Sequence, residues 1–183
     1  MQKARIEYGD GFMDIEVPDS ATIVRPETHY NDPPAVDPYE ATRRALEHPL
    51  GIEPLRELAK PGKKVVIAFP DRVKGGTQKD AHRRVCIPII VEELMKGGID
   101  LKDIKLICAM GLHRKNTKAE WDGYLGKEIV DMFWPDRLVN HDAEDPDGMV
   151  ELGYDEMGNY VNMNKDVFEA DIAVMIGHVQ GNP

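Results

Sequence analysis

Apolar and polar residues alternate along residues 4–8 and 12–17, on either side of Gly9, Asp10 and Gly11. Alternation puts every second side chain on one face, and the glycines supply a reversal, so the spacing predicts a β-hairpin. Residues 22–24 read as a short further strand. Farther on the pattern changes: residues 65–69 (VVIAF) and 104–109 (IKLICA) are nearly continuous apolar runs. Runs of that kind belong to parallel strands covered on both faces. Between them, Ile87, Ile90, Val91 and Leu94 recur at i, i+3, i+4 and i+7, one face of a helix over about residues 80–96. Pro88 kinks that helix or marks its effective first turn, and Gly97-Gly98 closes it. The order strand, helix, strand is a β-α-β unit.

Punctuation residues place the other elements. Asp37-Pro38-Tyr39-Glu40 has the Asp cap, first-position proline and N3 acid of a helix start. That helix runs to about residue 47 and is broken by His48-Pro49-Leu50-Gly51, and a second covers 54–59. Pro26, Pro33, Pro34 and Pro38 make residues 25–38 a surface crossing, since helices and central strands reject proline. Thr117 and Glu120 fit a capping box opening a helix over 117–125, and another runs from Gly126 to about 134. A short strand at 138–140, an acidic loop at 141–148 and a hairpin over 149–163 turned through Met157-Gly158-Asn159 follow. A helix at 165–169 and a strand at 171–176 come last. The fold class is α/β: a Rossmann-like, mostly parallel sheet with helices on both faces, plus the two hairpins. Residues 1–183 read as one domain that stops just past a buried strand, where a covering helix is due; the expectation is the N-terminal part of a longer protein.

Composition narrows the partners. The net charge of −10 argues against nucleic acid and anionic membrane surfaces. No apolar run approaches the roughly 20 residues of a membrane helix, and the first residues show no signal-peptide core. Cys86 and Cys108 offer neither a disulfide framework nor metal spacing, and are read as small buried hydrophobes of a reducing cytoplasm. No H-x-x-x-H or Cys-His spacing offers a metal site within the chain.

Three strand ends should meet at one sheet edge, the usual ligand side of an open α/β sheet. They carry Asp71, Arg72 and Lys74; Gly111, His113 and Arg114; and His178. Cations there suit a small anionic substrate or a phosphate, and an imidazole suits proton transfer near neutral pH. Taken singly, Asp71 reads first as a cap of its loop or of the following helix, and Arg72 and Lys74 first as solvated surface charges. His29, His48 and His82 read as surface or packing residues, and His141-Asp142 as a solvated turn. Lys74-Gly75-Gly76-Thr77 lacks the order of a phosphate loop.

Several of these motifs together resemble a known family. HPLG at residues 48–51, strand VVIAF, Asp71-x-x-Lys74, and Gly111-Leu112-His113-Arg114 with the capping Thr117 look like the N-terminal domain of the lactate-racemase family. Those are 2-hydroxyacid racemases and epimerases that use a nickel-pincer nucleotide. The resemblance implies His113 as acid/base catalyst, and Asp71, Arg72, Lys74 and Arg114 as substrate contacts. It further implies Asp71, Gly111, Thr117 and His178 along the nucleotide. Lys74 stands where the family usually has arginine, a point charge in place of a bidentate fork. The family's second acid/base histidine falls near Asn182, close to His178. Its cofactor-bearing lysine and nickel-ligand histidine would lie beyond Pro183, in a C-terminal domain of the same chain. On that resemblance the substrate is a small 2-hydroxy acid and the present chain alone is catalytically inert. The competing reading is a module of the same fold that binds a nucleotide or carboxylate without hydride chemistry.

Overall fold

The computed structural model describes residues 1–9, 11–24, 34–74 and 76–178. Asp10, residues 25–33 with Pro26, His29 and Pro33, Gly75, and residues 179–183 with Asn182 lie outside the described residues. Backbone contacts divide the chain into two compact units, Met1–Ala35 and Val36–Pro183.

The first unit holds the predicted hairpin. Strand β1 (Gln2–Tyr8) pairs antiparallel with β2 (Gly11–Val17), from Gln2 opposite Val17 to Tyr8 opposite Gly11. Arg5 and Asp14 face each other across the ladder and form an ion pair at 2.7 Å. Residues 22–24 do not form the expected strand. The chain turns instead through an Ala21 N–H to Pro18 carbonyl bond, and the Gln2 amide donates to the Ala21 carbonyl at 2.6 Å.

The second unit runs α1 (Pro38–Glu47), α2 (Leu55–Leu58), β3 (Val65–Pro70), α3 (His82–Lys96) and β4 (Ile104–Ala109). It continues with α4 (Lys118–Tyr124), α5 (Lys127–Phe133), β5 (Leu138–Asn140), β6 (Met149–Tyr154), β7 (Tyr160–Asn164), α6 (Lys165–Phe168) and β8 (Ile172–Met175). Strands β5, β4, β3 and β8 lie side by side in that order, all parallel, and β6 with β7 is a separate antiparallel hairpin. This is the α/β architecture that the apolar runs predict. Asp37 caps α1 as expected, accepting from the N–H groups of Tyr39 at 2.8 Å and Glu40 at 3.2 Å.

Successive side chains of a strand point to opposite faces, and both faces of β3 and β4 are covered. Val65, Ile67, Phe69, Leu106 and Cys108 join one core with residues of α2, α3, α4 and α5. Val66, Ala68 and Ile107, pointing the other way, are buried too. On that side Lys105 reaches Asp166 of α6 at 2.6 Å. Cys108 is wholly buried, and that burial pushes its thiol up to about 11; Cys86 is only half-buried, in contact with the Thr42 hydroxyl.

Helix α3 buries more than the single face its periodicity predicts. Val85 and Ile89 are covered as well as Ile87, Ile90, Val91 and Leu94, and both α1 and α2 pack against this helix. The helix is assigned unbroken through Pro88 and begins at His82, with Ala81 as a cap that offers no side-chain acceptor. Arg56 forks onto the buried carboxylate of Glu93, with both N–O distances 2.9 Å. His82 lies against His178 with ring centroids 5.7 Å apart and planes 15° from parallel.

Two stability consequences follow from this packing. Leu106 is fully buried at the centre of the sheet, so Leu106→Ala should cost about 2–5 kcal/mol in a denaturant titration. Burial, then Arg83 and His178, hold the His82 imidazole below its ordinary 6.5. The unfolded chain therefore takes up that proton at higher pH than the folded one. The contribution of neutral His82 is complete above the ordinary value and is lost as pH falls below it. His82→Asn should accordingly flatten the decline in melting temperature between about pH 7 and pH 5.

Candidate functional site

The β3–β4 register brings Pro70 level with Ala109, so the chain leaves both strands at the same height. Asp71 follows at once and is buried, only 4% exposed. On the neighbouring strand, the Met110 carbonyl accepts from the His113 N–H at 3.1 Å. Gly111 sits inside that turn at φ +60°, a conformation glycine adopts without Cβ strain. The turn swings His113 back toward β3 and sets its Nδ1 2.6 Å from Asp71 Oδ2.

Asp71 thus does two things. Its Oδ1 accepts from the Val73 N–H at 3.1 Å, and its carbonyl accepts from the Lys74 N–H at 3.2 Å, which shapes the loop after β3. Oδ1 and the carbonyl serve the loop cap, while Oδ2 faces His113. A carboxylate has no proton to give, so Nδ1 of His113 is the donor. The neutral ring then carries its lone pair on Nε2. The His113 side chain is 42% exposed against 5% for Asp71, so an oriented imidazole meets solvent over a buried carboxyl group.

The other predicted residues divide. Arg72 and Lys74 are exposed on the same loop, and among the described residues neither has a carboxylate partner. Arg114 and Thr117 are joined to Glu120: Arg114 Nη1 and Nη2 lie 3.0 and 2.6 Å from its two oxygens. Thr117 donates to Glu120 from its N–H at 2.9 Å and from its hydroxyl at 3.1 Å, completing the predicted capping box. Together these contacts hold the Glu120 carboxyl down to about 2. Lys115 pairs with Asp142. His178 rests on His82, at the start of α3.

Behind the pair lies a buried polar layer that the motif reading passes over. Arg83 is fully buried, with its Cζ 4.6 Å from the centre of the Tyr124 ring. The Tyr124 hydroxyl donates to Asn116 Oδ1 at 3.3 Å. Asn116 and Asn140 are tied both ways: the Asn116 N–H donates to Asn140 Oδ1, and Asn140 Nδ2 to the Asn116 carbonyl, each at 2.9 Å. Burial pushes the Tyr124 hydroxyl pKa well above its ordinary value. One signal was present in the sequence: Arg83, Ile87, Ile90 and Leu94 share helical spacing, so an arginine stands on the apolar stripe.

The donor set fits proton transfer and anion contact. Among the described residues, no three His, Cys, Asp or Glu side chains are grouped to hold a metal ion. Also among the described residues, no helix is long and apolar enough to cross a membrane.

Known proteins with this sequence pattern agree with one another. The family described as the lactate racemase N-terminal domain matches residues 8–181. Lactate racemase of Thermoanaerobacterium thermosaccharolyticum is 28% identical over 141 residues, covering 77% of this chain and 31% of that protein. Lactate racemase of Lactiplantibacillus plantarum is 27% identical over 143 residues, 78% of this chain and 32% of that one. The present chain therefore spans about a third of the length of the curated relatives it matches. The solved lactate racemase apoprotein of T. thermosaccharolyticum superimposes with a TM-score of 0.70 at 25% identity, over 95% of this chain and 38% of that one. A Thermotoga maritima protein at 17% identity and TM-score 0.50 shares the fold over 75% of this chain. With a match spanning nearly all its residues, the chain belongs to the lactate racemase N-terminal domain family.

Proposed function

We propose that this chain carries acid/base residues of a 2-hydroxyacid racemase or epimerase whose remaining parts lie in a longer protein. The observation that carries the reading is the 2.6 Å contact between His113 and the buried Asp71 at the carboxyl edge of the sheet. Asp71 orients the imidazole and keeps Nε2 available. Nε2 takes the hydroxyl proton of the 2-hydroxy acid as its Cα hydrogen leaves with the electron pair. The imidazolium so formed is stabilised by the Asp71 carboxylate, and the proton returns when hydride is delivered back to the ketoacid. Return to the opposite face inverts the centre.

Lys74 and Arg72 are the proposed partners of the substrate carboxylate. Both project from the loop that Asp71 shapes, and both lack a carboxylate partner among the described residues. With Lys74 as a point charge, the carboxylate is attracted without the planar match that arginine would impose. Arg114 makes a weaker case, because its fork is already matched to Glu120. The resemblance assigns hydride acceptance to a nickel-pincer nucleotide, anchored and metallated by residues beyond Pro183. Toward that nucleotide this chain would offer the Gly111 turn, Asp71 and His178. The Thr117 hydroxyl is committed to the α4 cap, so its part there is to hold the loop.

In the full-length, cofactor-loaded protein, His113→Ala should lower kcat for lactate racemisation by about 10²–10⁴-fold. The 183-residue chain alone should give no turnover. Interconversion of the lactate enantiomers followed by chiral chromatography checks both; an unchanged rate in the variant removes His113 from the reaction.

A further inference from the structure

We propose that Arg83 is a positioning residue, whose guanidinium locks the loop presenting Asp71 and Lys74 to the elements that hold the His113 loop. The inference rests on the reading of Asp71 and His113 as the working pair.

Arg83 is a poor choice for stability alone. It stands on the apolar stripe of α3 with no solvent exposure, and among the described residues it has no carboxylate ion pair. Its Nε is buried without a hydrogen-bond partner. A buried charge with unsatisfied donors is costly, and a hydrophobe of similar size often serves a core as well or better. Burial accordingly lowers its pKa, with Tyr124 and then Asp71 acting in the opposite sense.

What the guanidinium does is local and directional. Nη1 donates to the Lys74 carbonyl and Nη2 to the Gly76 carbonyl. Those two carbonyls belong to the loop whose first turn is made by Asp71. A planar fork holds two acceptors in one fixed relation, which an ammonium cannot do. Against the Tyr124 ring the cation gains a second fixed contact, 4.6 Å from the ring centre. From Tyr124 the connection runs through Asn116, three residues past His113, to Asn140 at the end of β5. Arg83 therefore joins the loop after β3 to the segment after β4, and through it to β5. Both partners of the 2.6 Å contact are carried on the segments so joined.

The test reads the ring nitrogens of His113 in the ¹⁵N-labelled 183-residue chain, on the alkaline side of the imidazole titration. The wild type should show chiefly the Nδ1–H tautomer, and Asp71→Asn supplies the reference in which that preference is gone. Arg83→Met should cut the Nδ1–H to Nε2–H ratio about fivefold. It should also speed amide exchange at residues 72–74 about tenfold. Arg83→Lys, which keeps the charge but reaches one carbonyl, should fall between. Ile87→Val, a buried change on the same helix, controls for lost stability and should move neither readout. The proposal is overturned if Arg83→Met leaves the ratio and exchange as in the wild type, or if Ile87→Val alters them equally. It is overturned too if neither Arg83 variant folds, since Arg83 is then a residue of the core alone. No readout needs turnover, so the result stands apart from whether His113→Ala affects racemisation.

Discussion

Two parallel strands in register leave a sheet at the same level, and here that constraint sets the chemistry. Pro70 lies opposite Ala109, so the segments after β3 and β4 start as neighbours. A four-residue turn then suffices to carry an imidazole across to a carboxylate. Were the register displaced by two residues, the strand ends would move apart by about 7 Å along the strands, several times the reach of a hydrogen bond. The register is in turn held by burial on both faces, since Val65, Ile67 and Phe69 point one way and Val66 and Ala68 the other. A slip by one residue would exchange those two sets.

Much of this was legible in the chain, for identifiable reasons. Continuous apolar runs mark the covered parallel strands, Asp37-Pro38 opens α1, and Thr117 with Glu120 caps α4 as its spacing implies. These are local signals written in adjacent residues. Illegible features depend on distant partners. Nothing near Val85 or Ile89 announces that they will be buried along with the predicted face. Nothing near Gln2 announces that its amide will claim the Ala21 carbonyl and leave residues 22–24 outside the ladder. At the site, the sequence names Asp71 and His113 as candidates, but only the fold shows that they touch. The sequence could not show that Arg114 is matched by Glu120, because six residues separate them across a turn.

Charge is distributed in the same graded way. Some pairs are exposed, such as Arg5 with Asp14 within the hairpin, and such pairs contribute little to stability. Around the edge, cations are drawn into specific tasks: Arg83 on backbone carbonyls, Arg114 on the helix cap, Lys115 on Asp142. Among the described residues, Arg72 and Lys74 have no carboxylate partner. In a chain with net charge −10, unmatched cations on one loop set the local field against that of the whole.

The segment from Met110 to Thr117 is tethered at both ends. At its start a backbone bond closes the turn on His113; at its finish Asn140 grips Asn116 and Glu120 grips Thr117. Insertion of even one residue would break a tether or pull the imidazole off its carboxylate. The stretch should therefore tolerate an exchange of exposed side chains far better than a change of length, because its two anchors fix the number of residues between them.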